Sequence, residues 1–232
     1  MGAGIGTIGF DADDTLWHNE RFFRWGQARF LELLSPYAEA SGLEARLVAA
    51  ERRNIGQYGF GVKGFTLSMV ETALEVTDNK VPGAVIADLL DMGREMLAHP
   101  IELLPHAQDA VEALAGSHRV LLITKGDLLH QERKLAQSGL GDRFDAVEIV
   151  SDKTEAVYAR IFSGHPGGAE AAMMVGNSMK SDVRPAIEAG AWGVFVPQDL
   201  AWDFEHAEPP DAPRYHALPD LSGLPDLVAE IG

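Results

Sequence analysis

The 232-residue sequence predicts an α/β fold, a doubly wound parallel sheet interrupted by an all-helical domain. Three observations carry this. The apolar runs VLLIT (120–124), DAVEIV (145–150), AAMMVG (171–176) and WGVFVP (192–197) alternate with helical patterns. Residues 19–99 hold only helical patterns, with no convincing strand among them. A first apolar run, Ile5 to Phe10, stands apart from the others and ends in the acidic stretch DADDT.

Taken in order, GIGTIGF reads as a buried strand feeding an acidic turn. GIGTIG also matches the letters of a dinucleotide-binding G-x-G-x-x-G, but the context is wrong: that motif needs a strand before it and a helix after it. In the insertion, Phe23, Phe30, Leu34 and Tyr37 fall near one face at helical spacing. LEARLVAAERRN, FTLSMVETALEV and AVIADLLDMGREML follow as further helices. Between the second and third helices, GQYGFGVKGF carries Gly56, Gly59, Gly61 and Gly64 and reads as a loop, because glycine penalises helix. After His99-Pro100, each strand leads into a helix: LLHQERKLAQSGL stopped at Gly139, KTEAVYARIFS, and SDVRPAIEAGA. The tail from Asp199 reads mostly as loop, with an edge strand at Tyr215 to Leu218. The expected division is an α/β core of residues 1–17 and 100–232, and a helical domain of residues 18–99. An insertion placed there belongs over the carboxyl end of the first strand, where open α/β sheets carry their sites.

Composition narrows the function. With 35 acidic against 19 basic residues and net charge -16, nucleic acid and anionic membranes are not expected partners. No apolar run reaches the length of a membrane span, and MGAGIGTIGF has neither the basic nor the long apolar region of a signal peptide. The absence of cysteine excludes disulfides and thiolate metal sites and fits a cytoplasmic protein.

The chemistry is read from what lies just past each predicted strand. Asp11 and Asp13 follow the first, Thr124 ends the second, Lys153 follows the third, and Asn177 and Asp182 lie in GNSMKSD after the fourth. A parallel sheet brings such positions to one edge. Two acids about 6 Å apart repel by about 3 kcal/mol at an effective dielectric near 20, so the crowding calls for cations. A carboxylate nucleophile, a hydroxyl and an ammonium for phosphate oxygens, and oxygen ligands for Mg²⁺ together suit phosphoryl transfer. Singly, each has a plainer reading: Thr124 as a helix cap, Lys153 as a solvated side chain, Asp182 as a helix-terminal charge.

Together these residues resemble the motifs of the haloacid dehalogenase-like (HAD) superfamily of hydrolases. DADDT is similar to its first motif D-x-D-x-T, Thr124 to the second, Lys153 to the third, and GNSMKSD to the fourth. The resemblance runs from about Ile5 to Val196, and the insertion resembles the family's helical cap. It implies a HAD-like Rossmannoid core and a Mg²⁺-dependent phosphatase that hydrolyses a small phosphorylated metabolite through an aspartyl-phosphate. By the family pattern, Asp11 is the nucleophile and Asp13 the acid and base; Thr124 and Lys153 bind phosphate, with Lys125 adding charge. Mg²⁺ is held by Asp11, the Asp13 carbonyl, Asn177 and Asp182. Asp14 is left to water or to capping a turn. Asp13 favours a phosphatase over a dehalogenase, which lacks that acid. Asn177 stands where phosphatases commonly carry Asp, so weaker Mg²⁺ binding is expected.

Substrate contacts are sought at Trp17 and in the Gly-rich loop, at Tyr58, Phe60 and Lys63; a packed hinge and an ordinary helix connection are the alternatives. His18, His106 and His130 are read as surface residues. Other functions remain open: a phosphomutase-type isomerase, a haloacid dehalogenase, or a HAD-like binding protein with a decayed site. A receiver domain fails on layout, since its phosphoacceptor lies strands away from its acid pair.

Overall fold

The computed structural model describes residues 4–39, 42–200, 202 and 205–232. The elements are β1 (Thr7–Phe10), α1 (Glu20–Leu34), α2 (Leu43–Tyr58), α3 (Val62–Val76), α4 (Gly83–Ala98), α5 (Ala107–Ala115), β2 (Arg119–Lys125), α6 (Leu128–Ser138), β3 (Ala146–Val150), α7 (Glu155–Ser163), β4 (Ala172–Gly176), α8 (Arg184–Glu188), β5 (Trp192–Phe195), β6 (Tyr215–Ala217) and α9 (Leu224–Ile231). The chain divides into two compact units. One comprises the N-terminal residues through Glu20, Ile101–Lys125 and Gln131–Gly232; the other comprises Arg21–Pro100 and Gly126–His130.

The first unit is built on a parallel six-stranded sheet in the order β3-β2-β1-β4-β5-β6. Strand order reverses at β1, which has β2 on one side and β4 on the other. Such a reversal opens a crevice beyond the carboxyl ends of the strands. Phe10 pairs with both Leu122 and Val175, so DADDT, Thr124 and Asn177 leave the sheet close together.

Alternate residues along each strand bury against opposite layers, as the pleat requires. Ile8, Phe10, Val120, Leu122, Met173 and Val175 join Val111 of α5 with Leu224 and Val228 of α9. On the other side Leu121, Ile123 and Met174 pack with Tyr158, Ile161 and Phe162 of α7. Gly9 lies where a Cβ would come within 2.8 Å of the Ile123 side chain and 3.1 Å of Met174, so glycine is what the packing admits there.

The second unit holds α2, α3, α4 and most of α1 around its own core, centred on Phe30, Leu34, Leu47, Met69 and Leu89. Gly93 of α4 faces Thr66 of α3, whose Oγ1 would lie 2.4 Å from an added Cβ. No helix among the described residues is long and apolar enough to cross a membrane.

Four local expectations are corrected. Gly56 lies inside α2 and Gly64 inside α3, so the Gly-rich stretch is a tight break at Gly59–Gly61, with Gly59 and Gly61 at positive φ. The pattern reading averaged glycine over the stretch; only these two need the conformation, and Gly64 is required by close approach, a Cβ there meeting the Gly59 carbonyl at 2.8 Å. Tyr37 lies past the end of α1 and is exposed. The expected helix over 181–191 begins instead as a π-helical turn, Met179–Val183, and continues only as the short α8. Finally, the tail is not mostly loop: α9 closes it, entered through Pro225 in its first turn, and α5 also escaped the pattern reading. Both are short helices stabilised by burial rather than by length.

Candidate active site

DADDT turns sharply because Ala12 accepts backbone N–H bonds from Thr15, Leu16 and Trp17, while Asp14 adopts a left-handed conformation that Asp tolerates. The turn sends its three carboxylates in different directions. Asp14 points toward α1 and accepts the N–H groups of Asn19 (2.8 Å) and Glu20 (2.8 Å), so it is a helix cap. Burial raises its carboxyl to about 7.

Asp11 is buried. Its Oδ1 accepts from Lys153 Nζ, and its Oδ2 accepts from the Thr15 hydroxyl at 3.1 Å. Lys153 Nζ also donates to Asp182 Oδ1 at 2.6 Å, and the other Asp182 oxygen accepts the Ser178 N–H at 2.9 Å. Gly176 makes room for this, since a Cβ there would meet Asp182 Oδ2 at 2.2 Å. Two carboxylates thus share one ammonium in a buried place. Burial first, and then Asp182, raise Asp11 to about 7 against the pull of Lys153. Burial alone would lower Lys153, but the two carboxylates outweigh it and hold the ammonium firmly charged.

Asp13 faces a different set of donors. Trp17 Nε1 donates to its Oδ1 at 2.7 Å and Lys134 Nζ pairs with the same oxygen at 2.5 Å. Gln131 Nε2 reaches Asp13 Oδ2 at 3.2 Å and Thr124 Oγ1 at 2.6 Å, tying the acid to the hydroxyl at the end of β2. Burial would raise Asp13; Lys134, Trp17 and Gln131 prevail and hold it below the ordinary carboxylate range.

The donor set suits a hard cation. Turned with its oxygen inward, Asn177 faces only acceptors: its inner amide atom lies 3.2 Å from the Asp13 carbonyl oxygen and 3.3 Å from Asp11 Oδ2. Adjacent oxygens around Mg²⁺ lie about 3 Å apart at its usual bond length of about 2.1 Å. Turned over, the amide nitrogen would donate to both oxygens instead. Among the described residues no three His, Cys, Asp or Glu side chains gather as a metal site. The oxygens that could meet a cation here are one carboxylate, one backbone carbonyl and, in one orientation, one amide. Asp182 is engaged by Lys153 and the Ser178 N–H and adjoins this set through Lys153.

The remaining expected residues distribute as follows. Lys125 pairs with Glu205 and donates to Ser181 Oγ at 2.8 Å. Trp17 is fully buried, its indole spent on Asp13, so the expectation of a substrate contact gives way to the packed alternative. In the helical unit, Tyr58 is exposed at the end of α2, Phe60 sits in the Gly59–Gly61 break, and Lys63 pairs with Asp127 at 2.8 Å. Thr124 is buried at the end of β2 and Lys153 is buried as well, so neither the cap nor the solvated reading holds. The sequence reading missed Thr15, Gln131, Lys134, Ser178, Ser181 and Glu205. Gln131 and Lys134, three apart on the helix after Thr124, share a face and were open to discovery by spacing. Glu205 had no local signal, lying in the connection between β5 and β6.

Fold and site together define a doubly wound α/β hydrolase with Asp11 and Asp13 at the switch point of the sheet. The chain belongs to the haloacid dehalogenase-like hydrolases, whose family model matches residues 5–190. No curated protein matches it. Among solved structures it is similar to a haloacid dehalogenase-like family hydrolase from Xanthomonas campestris, at 42% identity and TM-score 0.89, covering 99% of this chain and 93% of that one. The HAD-hydrolase YfnB from Bacillus subtilis, bound to magnesium, shares the fold at 18% identity and TM-score 0.67, covering 97% and 99%. So does an L-2-haloacid dehalogenase from Xanthobacter autotrophicus with chloropropionic acid covalently bound, at 16% and 0.63, covering 98% and 100%.

Proposed function

We propose that this hydrolase is a magnesium-dependent phosphatase that cleaves a small phosphate monoester through an aspartyl-phosphate. The observation that carries the reading is the second carboxylate: Asp13 stands beside Asp11 and is joined through Gln131 to the Thr124 hydroxyl. Displacement of halide from carbon needs no acid there, whereas expulsion of an alkoxide does.

In this mechanism Asp11 Oδ attacks phosphorus in line with the leaving oxygen. Thr124 and Lys153 hold the phosphoryl oxygens; Lys153 also orients Asp11, and Asp182 orients Lys153. Asp13 takes up a proton from solvent as the negatively charged phosphoryl group enters beside it, gives that proton to the departing oxygen and, left ionised, takes one from the water that cleaves the acyl phosphate. Lys134 and Trp17 keep Asp13 ionised at rest, which favours its role as base. Mg²⁺, held by Asp11, the Asp13 carbonyl and Asn177, would neutralise carboxylate and phosphoryl charge together. In this reading the helical unit is the cap that selects the substrate, Tyr58, Phe60 and Lys63 are its contacts, and the protein works in the cytoplasm.

The test is a screen of small phosphate esters with and without Mg²⁺, run beside 2-haloacids, with Asp11→Asn in parallel. Phosphate release that needs Mg²⁺ and vanishes in the variant is expected. Halide release from 2-haloacids without phosphate release would overturn the reading, and isomerised product without free phosphate would make the protein a mutase.

A further inference from the structure

Beside the reactive carboxylates lies a second cluster, which the mechanism above does not use. Glu205 is largely buried, and both of its carboxylate oxygens are engaged. Oε1 pairs with Lys125 Nζ at 2.5 Å, and Oε2 accepts from the Ser178 and Ser181 hydroxyls, each at 2.5 Å. The hydroxyls are pre-aimed. Ser178 Oγ already accepts the Ser181 N–H at 2.9 Å, and Ser181 Oγ already accepts from Lys125 at 2.8 Å, so each proton is left for an anion. A hydroxyl that is already an acceptor and buried in a polar cluster gains most by donating. Burial alone would raise Glu205, yet Lys125 and the two hydroxyls hold it below its usual range, because the cradle favours the anion.

The cradle belongs to the working edge of the sheet. Lys125 follows Thr124, Ser178 follows Asn177, and the Ser178 N–H binds the same Asp182 that pairs with Lys153. Its occupant comes from elsewhere: Glu205 sits in the connection between β5 and β6, where no strand or α-helix lies among the described residues. Connections longer than about 12–15 residues without structure of their own are uncommon in compact domains and are usually functional.

We propose that Lys125, Ser178 and Ser181 form a second oxyanion subsite, for a carboxylate or phosphate group of the substrate remote from the scissile one, and that Glu205 is its internal, displaceable occupant. The role assigned to this subsite rests on the phosphatase reading; its capacity to bind an oxyanion does not. In a chain of net charge -16, an internal carboxylate on this cradle also excludes substrates that lack a second anionic group strong enough to displace it.

The test is calorimetric titration with inorganic phosphate. The wild-type protein is expected to bind one equivalent, and Glu205→Ala two, the second lost again when Lys125→Met is added. Glu205→Gln, which keeps the side-chain volume and removes the charge, gives the same gain if the alanine variant does not fold. An unchanged stoichiometry in both Glu205 variants, accompanied only by a lower melting temperature, would make Glu205 a structural clamp and overturn the proposal. Loss of the wild-type equivalent with a gained one in Glu205→Ala would count against the phosphatase site and for the cradle.

Discussion

Asp11 and Asp13 are separated by one alanine, yet each faces its own ammonium: Lys153 for the first and Lys134 for the second. The division has measurable consequences. Lys134→Met removes the charge that keeps Asp13 ionised, so the carboxyl titrates at higher pH, and the limb of the kcat/KM profile that reports it moves the same way. Turnover at neutral pH is expected to fall by less than the roughly 10²-fold that loss of general acid–base assistance would cost, because the Asp13 carboxyl itself remains. Asn177→Asp adds a second carboxylate to the proposed Mg²⁺ site and is expected to tighten Mg²⁺ binding on the order of tenfold, read by calorimetry, because ligand charge tunes divalent affinity. An unchanged affinity would show that the amide carries no penalty. At this scale the sequence was informative where a residue's place in a strand decides its surroundings. Thr124 is the last buried residue of β2, one before its end. It was silent on partners: Asp13 and Lys134 lie 121 residues apart, and nothing local in DADDT names the cation opposite.

Among the elements, the turn after β1 and the helix it caps are the most exacting. Asp14 caps α1 from six residues upstream of Glu20, and burial raises its carboxyl to about 7. Between the ordinary carboxyl value near 4 and pH 7 the folded chain therefore keeps a proton that the unfolded chain has released. Stability contributed by this group is intact at low pH and falls as pH rises through that window. Asp14→Asn keeps an accepting oxygen for the N–H groups and has no charge to bury, so its urea midpoint should exceed the wild type's at pH 8 and the gap should close by pH 5. Asp14→Ala loses the cap as well and should cost about 1 kcal/mol in the same assay at pH 5. Gly176→Ala tests the other end of the site. Its Cβ would push on Asp182, loosening the hold on Lys153, so activity should drop well before the fold does. The strands and the long helices were legible because burial imposes periods of 2 and 3.6 on them. The short α5 and α9 and the π-helical turn were not, because each is fixed by what packs on it or what it must aim.

Among the described residues the sheet carries an apolar layer on each face, and the helical unit carries a core of its own. A lesion confined to one core should therefore appear in the unfolding of that unit. Gly93→Ala, whose Cβ would collide with the buried Thr66, should destabilise the helical unit by about 1–3 kcal/mol and split or broaden the calorimetric transition. A single, uniformly shifted transition would mean that the two units unfold as one. The sequence by itself determined the alternation of strands and helices, the helical insertion, the family, and which residues leave the strand ends. Those features are written in periodicity and spacing, which depend only on neighbours along the chain. Tertiary structure alone decided that Trp17 turns inward to Asp13, that Lys125 meets Glu205 rather than open solvent, and that Asp182 serves Lys153. The last two bring together groups far apart in sequence, and the first depends on how the turn after β1 is packed. Pairing buried charges is a matter of three-dimensional desolvation and Coulomb energy, which no local pattern encodes.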